Sequence, residues 1–143
     1  MKVERSTTVA RTPQDVLAYM ADVRNDPSWH TDVLEVSSST PEVGVGTVFN
    51  VRVKPSMGVS EGTMTVRRLE PGKLVEFEGH MGKMQPTVTN LVEAEGAGTR
   101  VTRRVELDPP GPMKLMTPMI KMMIGKSNQG FLANLKRVME STA

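Results

Sequence analysis

Arg103 is the residue whose type and position most clearly suggest chemistry. It lies in a predicted strand at 98–107, and side chains alternate across a strand. Three apolar residues share its face: Val101, Val105 and Leu107. A guanidinium among apolar side chains is costly unless it is paired, so an inward Arg103 would invite a ligand's carboxylate or polarised carbonyl. The alternatives are a bulge that reverses the alternation, extension of the side chain to a rim, or pairing with Asn90 or a glutamate.

His30 and His80 are the other candidates for catalysis, because both are expected at the same end of the molecule. Two neutral imidazoles could transfer protons to and from a bound substrate, or hold a metal. Two histidines without a suitably spaced carboxylate make a weak metal site, so we predict no metal, and histidines at a rim are usually just solvated. Ser28 and Asp32 are too close to His30 in sequence to complete a triad.

Methionines recur every three residues near the C-terminus, and thioethers at this spacing could face Cu(I). They are Met113, Met116, Met119 and Met122. The chain has no cysteine, and a methionine stripe also serves well as core or as the wall of an adaptable cavity. We therefore predict no cofactor.

The element that must position these residues is one long helix, predicted from Met113 to Glu140. Apolar residues recur in it three or four apart, at Met116, Met119, Ile120, Met123, Phe131, Leu135 and Val138. Pro118 predicts a kink, or the start of the main body with Thr117 as its cap.

Small residues occupy the middle of this helix: Gly125, Ser127, Asn128 and Gly130. They leave room either for a ligand or for the close approach of another element. The opposite face carries five cations and one glutamate, a net charge of +4: Lys114, Lys121, Lys126, Lys136, Arg137 and Glu140. A basic amphipathic helix can also lie on an anionic membrane surface or bind a partner.

The rest of the chain has the pattern of an antiparallel meander. A strand at 2–10 precedes a short helix that begins after Thr12, and the later strands are predicted at 33–38, 45–53, 60–69, 73–80, 85–95 and 98–107. Alternation places two sets of residues toward the interior: Val45, Thr47, Phe49, Val51 and Val53 in one strand, and Val75, Phe77 and Gly79 in another.

The connections between strands differ in their turn chemistry. Compact Gly or Pro turns at 41–46, 70–73 and 95–98 should lie at one end of the sheet, and looser connections at 54–59, 80–84 and 108–112 at the other. We expect a pocket mouth at the looser end, with more mobile loops than at the tight end. It would be ringed by Trp29, His30, Met57, His80, Met81, Met84 and Met113.

Composition sets the remaining limits. The 143 residues fit one domain, 1–143, with 38% hydrophobic and 24% charged residues and no apolar run long enough to span a membrane. A net charge of +2 with 3% aromatic residues argues against nucleic-acid binding. The first residues contain no secretory signal, so we expect a cytoplasmic protein. The oligomeric state stays open.

Several segments, in order, resemble a known family: "TTVARTPQDVLAYMADVRNDPSWHTDVLEV", "GVGTVFNV", "EPGKLVEFEG", "GTRVTRRVEL" and "NQGFLANLKRVME". Together they are similar to the polyketide cyclase/dehydrase branch of the START-like (SRPBCC) superfamily. The resemblance implies an α+β helix-grip fold, in which a curved antiparallel sheet of about seven strands wraps a long C-terminal helix, with two short helices after the first strand. It also implies a deep apolar cavity between sheet and helix.

The leading functional hypothesis is therefore the binding of a hydrophobic small molecule, such as a lipid or polyketide, in that cavity. The candidate ligand-binding residues are Trp29, Phe49, Val51, Met64, Phe77, Arg103, Met119, Met123 and Ser127. An alternative is a polyketide cyclase or dehydratase that uses Arg103 with His80 or His30. A third is membrane-surface or partner association through the basic helix.

Overall fold

The computed structural model describes residues 1–56 and 58–141. A curved, seven-stranded antiparallel sheet packs on one long C-terminal helix, with two short helices after the first strand, as the sequence predicted. The elements in chain order are β1 (Lys2–Val9), α1 (Pro13–Ala21), a first 3-10 helix (Val23–Ser28), β2 (Val33–Ser38), β3 (Val48–Ser56), β4 (Val59–Glu70), β5 (Leu74–His80), β6 (Thr87–Glu95), β7 (Gly98–Glu106), a second 3-10 helix (Gly111–Met116) and α2 (Thr117–Ser141).

The sheet runs in the order β1-β7-β6-β5-β4-β3-β2, so every neighbour is antiparallel and only β1 is out of sequence order. β7 is flanked by β1 and β6, and Arg103 stands opposite Arg5 on one side and Asn90 on the other. The alternation predicted for β7 is confirmed, because Val101, Arg103 and Val105 are all buried. β7 therefore places a buried arginine on the inner face of the sheet.

The C-terminal helix is shorter as an α-helix than the predicted 113–140. Residues up to Met116 form the second 3-10 helix, and α2 begins at Thr117, whose hydroxyl donates a 2.7 Å hydrogen bond to the Lys114 carbonyl. Pro118 sits in the first turn, where its missing N–H costs nothing.

The buried face of α2 differs from the predicted stripe at its start. It consists of Ile120, Gly125, Asn128, Phe131, Leu132, Leu135 and Met139. Met119 and Met123 in the first turns of α2 are 53% and 45% exposed, and Met116, the last residue of the second 3-10 helix, is 43% exposed. Val138 is only half-buried, and Met139 takes the inner position.

The two glycines of α2 do not jointly open a space for a ligand. Gly125 is buried against the guanidinium of Arg5 from β1, which lies where a Cβ would be. Gly130 is exposed and faces open space. The interpretation of close packing thus holds for Gly125, while Ser127 and Asn128 face the interior.

The inward positions predicted for β3 and β5 are correct except at the start of β3. Thr47, Phe49, Val51, Val75 and Phe77 are buried. Val45 is 68% exposed, because β3 begins only at Val48 and Val45 belongs to the preceding turn, in which Gly46 has a φ of 94°. Phe49 and Phe77 meet edge to face, with ring centroids 6.4 Å apart, and form part of the core.

Two of the three connections predicted to be loose, 54–59 and 80–84, are tighter than expected. β3 and β4 continue as a ladder to the pair Ser56 and Val59, so most of 54–59 is strand. Met81 and Met84 pair through two backbone hydrogen bonds of 2.9 and 3.1 Å around Gly82, whose φ is 64°. Met57, also placed at the mouth, lies outside the described residues.

Candidate functional site

A cavity of about 320 Å³ lies between the inner face of the sheet and α2. Its wall is mainly apolar and includes Val33, Val51, Met64, Met81, Met84, Val88, Val105, Met123, Ile124 and Phe131. Polar side chains also line it: Asp26, His30, Asp32, Ser56, Arg103, Ser127 and Asn128. The cavity therefore has a mainly apolar wall and a group of polar side chains that includes Arg103.

Arg103 is the charged centre of this group and is 7% exposed. Its Nε donates to Oδ1 of Asn128 at 2.7 Å, and its Nη1 donates to Oδ1 of Asn90 at 3.2 Å. Burial lowers the pKa of the guanidinium, an effect that Asp26 partly offsets. The pairing with Asn90 that the sequence left open is present, and Arg103 also faces the cavity.

Trp29 is fully buried in the core and is not at the mouth, where the sequence placed it. The Cζ of Arg103 lies 5.3 Å from its ring centroid, a distance at which a cation is attracted to the ring face. The indole Nε1 has no hydrogen-bond partner in the described chain. The Trp29 ring thus packs against the Arg103 guanidinium within the core.

The first 3-10 helix and the two residues after it direct the side chains of Asp26 and His30 toward the cavity. The Asp22 carboxylate caps it by accepting from the Arg24 N–H, and the Asp26 carbonyl accepts from the N–H groups of Trp29 and His30 at 3.0 and 2.7 Å. One short turn therefore supplies a carboxyl and an imidazole to the same cavity.

Asp26 is buried, and its Oδ1 has no hydrogen-bond donor among the described residues. Burial raises the pKa of this carboxyl to about 7, a rise that Arg103 opposes and the charge of Asp22 adds to. The two protonation states of Asp26 are therefore close in free energy near neutral pH.

His30 also points inward and is not a solvated rim residue. Its ring stacks on Phe131, with centroids 4.0 Å apart and planes 20° apart, and its buried Nδ1 has no partner in the described chain. Burial, followed by repulsion from Arg103, lowers the pKa of His30 to about 3. At neutral pH this imidazole is therefore uncharged, and its protonation is unfavourable.

His80 lies elsewhere, so the expected pair of rim histidines is not formed. It is exposed at the end of β5, where its Nε2 lies 3.3 Å from a carboxylate oxygen of Glu78. Among residues 1–56 and 58–141, no three His, Cys, Asp or Glu residues are grouped so that they could hold a metal ion.

The remaining candidate ligand-binding residues fall into three groups. Val51, Met64, Arg103, Met123 and Ser127 line the cavity. Trp29, Phe49 and Phe77 are buried in the core around it and do not line it. Met119 is exposed and outside it, because it lies in the first turns of α2.

The sequence reasoning missed Asp26 as a site residue. Asp26 lies in a short turn, and no periodicity in so short a segment indicates which side chain faces inward. The polar residue directly before Pro27, within a segment bounded by the apolar Val23 and Trp29, was the available signal.

One protein-family model, described as "Polyketide cyclase / dehydrase and lipid transport", matches residues 1–140. No relative is found among curated protein sequences. No helix in the described part of the chain is both long and apolar enough to cross a membrane.

Solved structures with the same fold cover nearly the whole chain. TTHA0849 from Thermus thermophilus is 16% identical, with a TM-score of 0.80 over 100% of this chain and 99% of that one. The di-domain ARO/CYC StfQ from the steffimycin biosynthetic pathway is 14% identical, with a TM-score of 0.78 over 99% of this chain and 51% of that one. Ara h 8.0201 is 15% identical, with a TM-score of 0.72 over 99% and 98%. At these identities the likeness shows the fold alone.

Proposed function

Since this chain belongs to the polyketide cyclase / dehydrase and lipid transport family, we propose that its function is to bind a hydrophobic small molecule that carries one polar group. The observation that carries this proposal is the cavity of about 320 Å³, whose mainly apolar wall ends in Arg103, Asp26 and His30. Apolar pockets with a few convergent polar groups are typical ligand sites. The apolar body would supply affinity, and the polar cluster would orient the ligand.

Binding of the neutral fluorescent probe N-phenyl-1-naphthylamine tests this function. Ser127→Phe should fill part of the cavity and weaken probe binding at least tenfold. Gln129→Phe, which adds the same ring to an exposed position of α2, is the matched control and should leave binding unchanged. No saturable binding to the wild type, or equal binding by both variants, would contradict the proposal.

A second candidate function is cyclase- or dehydratase-type proton transfer, and the unpartnered Nδ1 of His30 and Oδ1 of Asp26 favour it. The Asp26 carboxylate, whose pKa of about 7 suits a general base at neutral pH, could remove a proton next to a carbonyl that Arg103 polarises. Exchange of the α-protons of 2,4-decanedione in D₂O, followed by NMR, measures this step. Asp26→Asn should slow the exchange at least tenfold and His80→Gln should not, whereas a wild-type rate equal to that of buffer excludes the activity for this class of substrate.

Membrane-surface association is a third candidate, favoured by apolar side chains exposed near the start of α2. Leu115 is 90% and Met122 69% exposed, and no acidic residue occurs between Asp108 and Glu140. Flotation with phosphatidylserine vesicles should recover the wild type and lose Leu115→Ser/Met122→Ser. Equal recovery with pure phosphatidylcholine vesicles would show that the basic charge plays no part.

A further inference from the structure

We propose that the cavity selects ligands that carry a carboxylate, which becomes the counter-ion of Arg103 while Asp26 takes up a proton. This inference rests on the proposed ligand-binding function and names the class of ligand. Two observations support it independently: the hydrogen bonds that Arg103 makes, and the position of an unpartnered carboxyl in the same cavity.

The positive charge of Arg103 is not balanced by direct contact with a carboxylate. Both of its hydrogen bonds go to neutral amides, those of Asn90 and Asn128, and its Nη2 makes none within the described chain. None of the salt bridges among the described residues involves Arg103. The guanidinium is thus held in place and can still donate from Nη1 and Nη2 to an acid group. Two parallel hydrogen bonds of this kind are the arrangement in which a guanidinium prefers to bind a carboxylate.

Asp26 is the group that can adjust the charge of the cavity. The charges that act on it are Arg103 from β7 and Asp22 from the same turn, while His30 and Asp32 line the same cavity. Of these, only Arg103 favours the ionised carboxylate, and burial and Asp22 disfavour it. A small change in the electrostatic potential of the cavity therefore decides whether Asp26 holds a proton.

A ligand carboxylate beside Arg103 makes that change. The ligand carboxylate neutralises the Arg103 charge that favours ionised Asp26, and it also repels the Asp26 carboxylate. Both effects raise the pKa of Asp26, so this residue gains a proton from solvent. The sum of charges stays the same: Arg103 with ionised Asp26 in the free protein becomes Arg103 with the ligand carboxylate and neutral Asp26. Binding should then weaken as the pH rises above 7, because removing the proton restores the competing charge.

The test compares decanoate with 1-decanol, which have the same chain length and differ in charge. Each displaces N-phenyl-1-naphthylamine from the wild type, from Arg103→Gln and from the control Arg104→Gln. Arg104 is the next residue of β7, faces outward and pairs with Glu4 at 3.4 Å. The wild type and the control should prefer decanoate, and Arg103→Gln should lose roughly ten- to a hundredfold of that preference, the loss expected for charge-assisted hydrogen bonds.

Proton uptake is measured separately, by titration calorimetry at pH 7.5 in buffers of different ionisation enthalpy. This pH lies above the Asp26 pKa of about 7, so decanoate should draw a measurable fraction of a proton. 1-Decanol should draw almost none. Asp26→Asn should bind decanoate without proton uptake and with an affinity that no longer falls above pH 7.

The outcomes separate this inference from the proposed function. If the neutral probe and 1-decanol do not bind, the ligand-binding function itself is wrong. If they bind but decanoate is not preferred, or Arg103→Gln keeps the preference, the carboxylate selection is wrong. Equal proton uptake by the wild type and Asp26→Asn would overturn the role of Asp26. Probe binding by each variant verifies that it is folded.

Discussion

The carboxamide oxygen of Asn128 lies 2.7 Å from Nε of Arg103, so the central helix fixes the position of a charge that belongs to the sheet. A neutral amide at this place orients the guanidinium and leaves its charge to act on the cavity. The same amide also donates from Nδ2 to the Ile124 carbonyl at 3.0 Å, which holds its oxygen toward Arg103.

Asn128→Asp should therefore abolish the preference for acidic ligands. The new carboxylate would pair directly with Arg103, and decanoate should bind about tenfold more weakly while 1-decanol is unaffected. Gln129→Glu adds the same charge at an exposed position of α2 and serves as control. An equal loss in both variants would mean that the added charge acts only at long range.

The stability of the protein should carry a signature of Asp26. Burial raises its pKa from about 3.8 in the unfolded chain to about 7 in the folded protein, so folding takes up a proton between these values. The contribution is fully present below pH 3.8 and is lost as the pH rises to 7, by about 4 kcal/mol. Urea unfolding of the wild type and Asp26→Asn across pH 4 to 8 should show the variant gaining relative stability with pH. A constant difference would contradict the shift.

His30 should produce the opposite slope. Its pKa falls from 6.5 to about 3 on folding, so its contribution is present above pH 6.5 and is lost as the pH falls toward 3. His30→Phe keeps an aromatic ring against Phe131 and removes the titrating nitrogen. We expect this variant to lose less stability than the wild type between pH 6.5 and 4.5, by at least about 1 kcal/mol. Thermal unfolding at matched ionic strength measures the difference, and parallel curves would rule it out.

The two glycines of α2 should respond differently to alanine. Gly130→Ala places a methyl group in open space on an exposed helix and should raise the free energy of unfolding by about 0.5 to 1 kcal/mol. Gly125→Ala must first displace the Arg5 guanidinium and should gain clearly less. Denaturant unfolding decides, and Arg5→Ala combined with Gly125→Ala should recover part of the difference.

Ligand binding should protect one turn of the sheet selectively. Met81 and Met84 line the cavity on either side of a tight turn, so a bound molecule would contact both. Amide exchange should slow at 80–84 in the presence of N-phenyl-1-naphthylamine and stay unchanged at 70–73 and 95–98. Uniform slowing of all three segments would place the opening elsewhere.

Much of the fold follows from period and turn chemistry. The strands begin and end within about three residues of the predicted positions, because Gly, Pro and charged residues interrupt the alternation at each turn. The inward position of Arg103 could likewise be inferred, since Val101 and Val105 share its face and β7 contains no bulge. In a regular strand, the position of a residue in the sequence determines the face on which its side chain lies.

The polar end of the cavity could be predicted only in part. Trp29 and His30 follow a short 3-10 helix without a repeat, so no local pattern indicates that Trp29 is buried and that Nδ1 of His30 faces inward. The direction of the His80 side chain depends on how β5 ends, and strand alternation does not predict this. His80 is therefore exposed and is not paired with His30 at the cavity. The prediction that Met119 lines the cavity differs from the structure for another reason. Helical periodicity identifies a face, and only packing determines how far along the helix that face is covered.

Trp29, the single tryptophan of the chain, packs against Arg103, the residue to which we assign ligand recognition. Because Trp29 is fully buried and lies 5.3 Å from the Arg103 guanidinium, its fluorescence emission should be blue-shifted in the free protein and sensitive to any movement or neutralisation of that cation. No other indole contributes to the signal. The protein thus contains its own optical reporter, and the occupancy of its polar pocket can be read by intrinsic emission without a label.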